Sequence, residues 1–235
     1  MTVTRLVWRG SALAAGDHLL PAAVSHHARV ARVGPGEPVE VLDLDGTVGE
    51  GVLLGWEGRR ARLRIDHLCR ERGEPPGALV VGLGVLHTQA FDWAVEKLTE
   101  LGATRIVPLL CERVQGRRHE LRIERWRRLS DAAVAQCGRS RPAAIDRVTA
   151  LEEFLGGAPG VRLVADFGAG PLPTAPVPVP GVSILVGPEG GFTPSELAAA
   201  AAAGFLPLGL GPRTLRAETA AVGAVAVACA WAGWL

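Results

Sequence analysis

The chain has 235 residues, 48% of them apolar and 21% charged, which is ample for a sizeable core and excludes a disordered or fibrous chain. Its formal net charge of +1 carries no global basic excess of the kind that marks a nucleic-acid binder. The four cysteines, Cys69, Cys111, Cys137 and Cys229, lie far apart without a CxxC, so no zinc site is read and a reduced, cytoplasmic protein is expected.

The opening stretch MTVTRLVWRG has no apolar signal core, and no secretory leader is read there. Short β-type runs follow at Arg5–Trp8, Pro38–Asp43, Gly49–Gly55 and Arg60–Leu68, with Asp45-Gly46 as a hairpin turn and one helix over Ala22–Val33. A small β-barrel over residues 1–72 is the expected product. The charged, Pro- and Gly-rich segment Arg70–Gly77 has no hydrophobic period and marks a domain boundary.

Strands and helices alternate over residues 73–235. Leu79–Leu86 is a continuous apolar run, as a parallel strand buried on both faces requires. Phe91, Ala94, Val95, Leu98 and Leu101 recur at helical spacing up to Gly102, and Arg105–Leu110 completes a β-α-β unit. Next come a helix at Ile123–Cys137, a strand at Ile145–Val148, a short helix at Leu151–Leu155 and a strand at Val161–Asp166. A Pro- and Gly-rich loop spans Gly168–Gly181, before a strand at Val182–Val186. Thr193-Pro194-Ser195-Glu196 spells a capping box with proline at the first helical position, and Gly204 ends that helix. A short strand at Leu206–Leu210 precedes the apolar stretch Thr219–Leu235. That stretch falls short of the ~20 residues of a bilayer span and reads as a buried helix. The class is α/β.

Two segments carry candidate chemistry. In Leu185–Glu196 a strand exits into Gly187-Pro188-Glu189-Gly190-Gly191, where absent Cβ atoms let backbone approach a ligand and exposed amides precede a helix. It is neither a P-loop nor a GxGxxG, and a tight β-α turn without ligand is the competing reading. In Leu208–Ala224, Gly209 and Gly211 punctuate another strand exit, and Arg213, Arg216, Glu218 and Thr219 crowd the approach to an apolar helix. A structural Arg–Glu pair would explain the same residues. Basic clusters at Arg59–Arg64, Arg113–Arg128 and Arg139–Arg147 are either solvated faces or phosphate contacts.

GPEGGF-x-x-x-E followed by LG-x-R-x-LR-x-ETA resembles the paired signature of the SPOUT RNA methyltransferases, in the form of their RsmE family. Arg29–Gly36 with VEVLDLDG, Glu96–Gly102, and Ala135–Pro142 are similar to further segments of that family, so the likeness covers nearly the whole chain. It departs at His87-Thr88-Gln89-Ala90, where the family carries a Lys-rich turn, and at Ala135 and Ala217.

The resemblance implies an N-terminal PUA-like β-barrel (1–72) and a C-terminal SPOUT α/β trefoil-knot domain (73–235). The activity implied is methylation of N3 of a uridine in 16S ribosomal RNA, using S-adenosyl-L-methionine (SAM). Cofactor contacts are expected from Leu185, Gly187, Pro188, Glu189, Gly190, Gly191, Leu208, Leu210, Gly211, Leu215 and Ala217. Arg216 is the candidate to stabilise charge on the uracil, with Glu218 orienting it or relaying a proton. Arg9, Arg29, Arg32, Arg139 and Arg141 are expected on RNA. The partners expected are 16S rRNA or the small ribosomal subunit and a second copy of the chain, without membrane or metal. Three other readings stay open: another RNA site, a non-catalytic RNA-binding assembly factor, and a small-molecule α/β enzyme whose glycine loop binds phosphate.

Overall fold

The computed structural model describes residues 3–9, 12–114, 122–170, 172 and 179–235. Arg117 and Arg118 of the central basic cluster, and residues 171 and 173–178 of the Pro- and Gly-rich loop, lie outside them. The chain divides into two compact units, Met1–Glu74 with Asp131–Pro142, and Pro75–Ser130 with Ala143–Leu235. The sequence reading places everything past residue 72 in one domain. Residues 131–142 depart from it because Val134 is fully buried with Leu42, Leu44 and Val48, and Arg139 is ion-paired to Glu74.

The first unit holds β1 (Thr4–Val7), β2 (Gly16–Leu19), α1 (Ala22–Val30), β3 (Pro38–Leu42), β4 (Thr47–Glu57) and β5 (Arg60–Arg70). They form a five-stranded sheet in the order β1-β3-β4-β5-β2, with β1 parallel to β3 and the other pairs antiparallel. In β5 Ala61, Leu63 and Ile65 point inward while Arg60, Arg62 and Arg64 point out, the period of a strand with one buried face. The turn between β3 and β4 is an Asx turn: Asp43 Oδ1 accepts from the amides of Asp45 (2.7 Å) and Thr47 (2.9 Å), and Gly46 takes φ +104°.

The second unit holds β6 (Ala78–Gly84), α2 (Thr88–Glu100), β7 (Arg105–Leu110), α3 (Ile123–Cys137, whose last seven residues belong to the first unit), β8 (Ala144–Ile145) and β9 (Thr149–Ala150). It continues with α4 (Leu151–Gly157), β10 (Val161–Ala165), β11 (Gly181–Val186), α5 (Pro194–Ala202), β12 (Leu206–Leu208) and α6 (Ala217–Trp231). The sheet is parallel, ordered β12-β10-β11-β6-β7-β8, with β9 also beside β7.

Its strands are apolar throughout because both faces are covered. From β6, Leu79, Val81 and Leu83 pack with Phe91 and Val95 of α2 and Val225 of α6, while Val80 joins Phe154, Leu155 and Phe205 on the other side. The chain leaves β6 toward β7 in one direction and returns to β11, β10 and β12 in the other. That reversal places a crevice at the carboxyl ends of the strands, where open parallel sheets bind ligands. Among the described residues no helix is long and apolar enough to cross a membrane.

Candidate active site

The first wall of the crevice follows from β11. Gly187-Pro188-Glu189-Gly190-Gly191 closes as a turn in which the Gly191 amide donates to the Pro188 carbonyl (2.8 Å) and Gly191 adopts φ +66°, a conformation that side chains resist. Gly84 of β6 lets this loop settle on the sheet, since a Cβ there would stand 2.5 Å from Pro188 N. Three polar ties fix it. The His87 amide donates to Glu189 Oε1 (2.8 Å), Arg113 Nη1 donates to the Gly190 carbonyl (3.0 Å), and α5 is anchored by its capping box.

In that box Thr193 Oγ1 accepts from the Glu196 amide (3.2 Å) and Glu196 Oε2 accepts from the Thr193 amide (2.8 Å). Glu196 is buried, and its Oε1 also accepts from the Glu112 amide (2.8 Å), which ties the segment after β7 to the start of α5. Beside it, burial, then the carboxylates of Glu196 and Glu152, push the Cys111 thiol up to about 12, so it is not a nucleophile at neutral pH.

The second wall follows β12. Gly209 lies so close to the loop after β10 that a Cβ would stand 2.0 Å from the Ala169 carbonyl oxygen. The chain then passes through Gly211 (φ +92°) to the start of α6. The third wall is Ala165, Asp166 and Phe167 at the end of β10, tied to β12 by the Asp166 amide donating to the Leu208 carbonyl (3.1 Å). Together the walls enclose a cleft of about 330 Å³.

Of the residues expected at a cofactor, Gly187, Pro188, Glu189, Gly191, Leu210, Gly211, Leu215 and Ala217 line this cleft. Three do not. Leu185 and Leu208 are sealed in the two apolar cores, because alternate strand residues face the helices and not the strand end. Gly190 turns its bare α-carbon toward Arg113, whose Cβ lies 3.0 Å from where its own would be. The cleft is also lined by Phe167, Arg213 and Thr214, which lie in the loop after Asp166 and in the segment Leu208–Leu215 that the resemblance gives to the cofactor, and by Ala165, Asp166, Val186, Phe192, Leu197 and Ala220, which the sequence did not single out for it. The signal for Phe167 was its place directly after the strand read at Val161–Asp166.

A second, more open cleft of about 1010 Å³ adjoins the first and shares Glu189, Thr214, Leu215 and Ala217 with it. Arg216 and Glu218 line it together with His87, Gln89 and Trp93. Arg216 is the extended N-cap residue of α6 and is exposed, while Glu218 lies in the first helical turn, where a carboxylate is favourable. Among the described residues no ion pair joins the two, so the structural pair considered from sequence is not formed.

The expected RNA contacts all fall in the first unit. Arg9 is exposed and ion-paired to Asp131, whose carboxyl is pushed up by burial, an effect that Arg9 opposes. Arg29 is exposed, stacks 4.5 Å over the Trp56 ring and donates to the Gly58 carbonyl. Arg32 is exposed, and Arg141 is half-exposed beside Glu71. Arg139 is a correction. It is 3% exposed with Nη2 donating to Glu74 Oε2 at 2.6 Å, and a guanidinium locked in a buried ion pair cannot reach a phosphate. Among the described residues no group of three or more His, Cys, Asp or Glu could hold a metal ion.

Residues 73–229 match the family model of an RNA methyltransferase domain. The chain is 31% identical over 219 residues to the ribosomal RNA small subunit methyltransferase E of Mycobacterium bovis, covering 86% of this chain and 82% of that protein. The chain belongs to the methyltransferase E family. A second relative of that name, from Synechocystis, is 30% identical over 217 residues, covering 88% of this chain and 71% of the relative. The methyltransferase E structure from Neisseria gonorrhoeae, bound to S-adenosyl methionine, superposes with a TM-score of 0.86 at 28% identity over 97% of this chain and 98% of that one. A putative methyltransferase from Legionella pneumophila, in complex with SAM, gives 0.84 at 26% identity over 98% of each chain. The fold is that of the SPOUT methyltransferases.

Proposed function

We propose that this chain methylates N3 of a uridine in 16S rRNA of the small ribosomal subunit, with SAM as methyl donor. The observation that carries the reading is the pair of adjoining clefts, one walled by glycines and one holding Arg216 and Glu218, with a single wall between them. The methyltransferase E relatives and the SAM held by the Neisseria and Legionella proteins support it.

The residues of the smaller cleft fit SAM. Gly187, Gly191 and Gly211 offer backbone without Cβ atoms, Val186, Leu210, Leu215 and Ala220 offer an apolar wall, and Asp166 and Glu189 offer carboxylates to a cationic ligand. When bound, SAM supplies an electrophilic methyl on a sulfonium, which needs no further activation. The chain's own residues orient the base and handle its proton. As N3 loses its proton, negative charge spreads onto the uracil oxygens, and the exposed Arg216 fork offers fixed donors to them. Glu218, in the same cleft, receives the proton.

Arg9, Arg29, Arg32 and Arg141 of the first unit position the RNA through its phosphates. The chain acts in the cytoplasm as a homodimer, pairing through α6, whose Val227 is 43% exposed. Incubation with labelled SAM and either 16S rRNA or small subunits, followed by mapping of the modified atom, tests the reading. A methyl on uridine N3 is expected. Transfer to another atom, or none, would overturn it.

A further inference from the structure

We infer that Trp93 is the stacking platform for the target nucleotide of a single-stranded RNA segment in the second cleft. The inference rests on the function proposed above and assigns the receiving side of the reaction. Gln89, Ala90 and Trp93 stand at helical spacing on one face of α2, and all three line the cleft that holds Arg216 and Glu218.

Trp93 is 41% exposed, although its helix neighbours Phe91, Ala94 and Val95 are fully buried in the core. Its indole is thus left partly in water on the wall of a cleft of about 1010 Å³. A flipped base has the matching shape, a flat π-face that stacks on an aromatic ring while its edge stays free for hydrogen bonds.

The polar groups fit the edge of uracil, which presents acceptor, donor and acceptor in turn. Arg216 carries only donors, the Glu218 carboxylate only accepts, and Gln89 can do either. The exposed guanidinium also favours an anionic strand over a neutral ligand. The shared wall of Glu189, Thr214, Leu215 and Ala217 places such a base directly beside the glycine-walled cleft. The N-cap His87 and the first residues of α2, Thr88-Gln89-Ala90, include no lysine, so on this side recognition falls to the ring and the amide more than to charge.

The test uses the full chain as wild type, Trp93→Ala and Trp93→Phe. Small-subunit RNA serves as substrate, and a short oligouridylate serves as the binding probe. Trp93→Ala is expected to weaken oligouridylate binding and raise KM for RNA by roughly tenfold, with Trp93→Phe restoring most of the loss. SAM affinity by calorimetry should stay within about twofold of wild type. Oligouridylate should quench the wild-type tryptophan fluorescence, and that quench should vanish in Trp93→Phe although binding persists. RNA affinity and quenching unchanged by both substitutions would overturn the platform. So would light scattering that shows Trp93→Ala splitting a dimer while monomers bind the probe normally, which would assign the cleft to a second copy. Absence of methyl transfer by the wild type would strike the function on which the inference rests, whereas normal transfer by Trp93→Ala at limiting RNA would strike the platform alone.

Discussion

Glu196→Ala is the sharpest test of how the sheet and α5 hold the glycine loop in place. The buried carboxylate accepts two backbone amides from different segments, Thr193 N and Glu112 N, each at 2.8 Å. Hydrogen bonds to a charged group contribute ~1.5–3 kcal/mol each, and the two share one side chain, so their losses do not simply add. The Thr193 hydroxyl still caps the Glu196 amide in the variant and keeps part of the N-terminal stabilisation. The expected cost is therefore ~2–4 kcal/mol in urea unfolding, with a drop in SAM affinity because Gly187–Phe192 leads directly into the loosened cap. Glu196→Gln should lie between, since its amide oxygen can satisfy one partner while its NH2 faces the other donor. The Cys111 thiol should stay unreactive in Glu196→Gln, because burial is the larger cause of its upward shift. A loss below about 0.5 kcal/mol in Glu196→Ala, with SAM affinity intact, would refute the claim that this carboxylate organises the loop.

Gly191→Val should cost about tenfold or more in SAM affinity, because a β-branched residue resists φ +66° in the cleft wall, whereas Gly190→Ala, whose Cβ would press on Arg113 at 3.0 Å away from the cleft, should cost less; calorimetry on both decides. Arg216→Ala should keep the fold and most SAM affinity but lose methyl transfer by about a hundredfold or more at saturating RNA and SAM, with Lys rescuing only in part. Burial works to raise the Glu40 carboxyl, but hydrogen bonds from Arg72 and Arg5 outweigh it and set it below its ordinary 4.5. Its contribution to stability is therefore present above pH 4.5 and is lost as pH falls through the lower folded value. Acid unfolding monitored by circular dichroism should show a shallower loss over that range in Glu40→Gln.

Where a feature depends on neighbours within a few residues, the sequence alone determines it here. The capping box at Thr193 and Glu196 closes across three residues and forms as its letters spell it. The alternation in β5 and the unbroken apolar run of β6 state how many faces each strand buries, since side-chain direction alternates along a strand. The glycine exits after β11 and β12 mark the cleft for the same reason.

Features set by distant segments were open until the chain closed on itself. The strands β2 and β9, four and two residues long, carry too short a pattern to read and exist only through pairing with β5 and β7. Gly190 and Gly191 are indistinguishable as letters, yet Arg113, 77 residues before Gly190, occupies the open side of one and leaves the other to line the cleft. Arg139 reads like any surface arginine until Glu74, 65 residues away, draws it into a buried pair. Burial of a charge depends on which partner the fold brings within reach, and that distance is a property of the tertiary structure rather than of the local sequence.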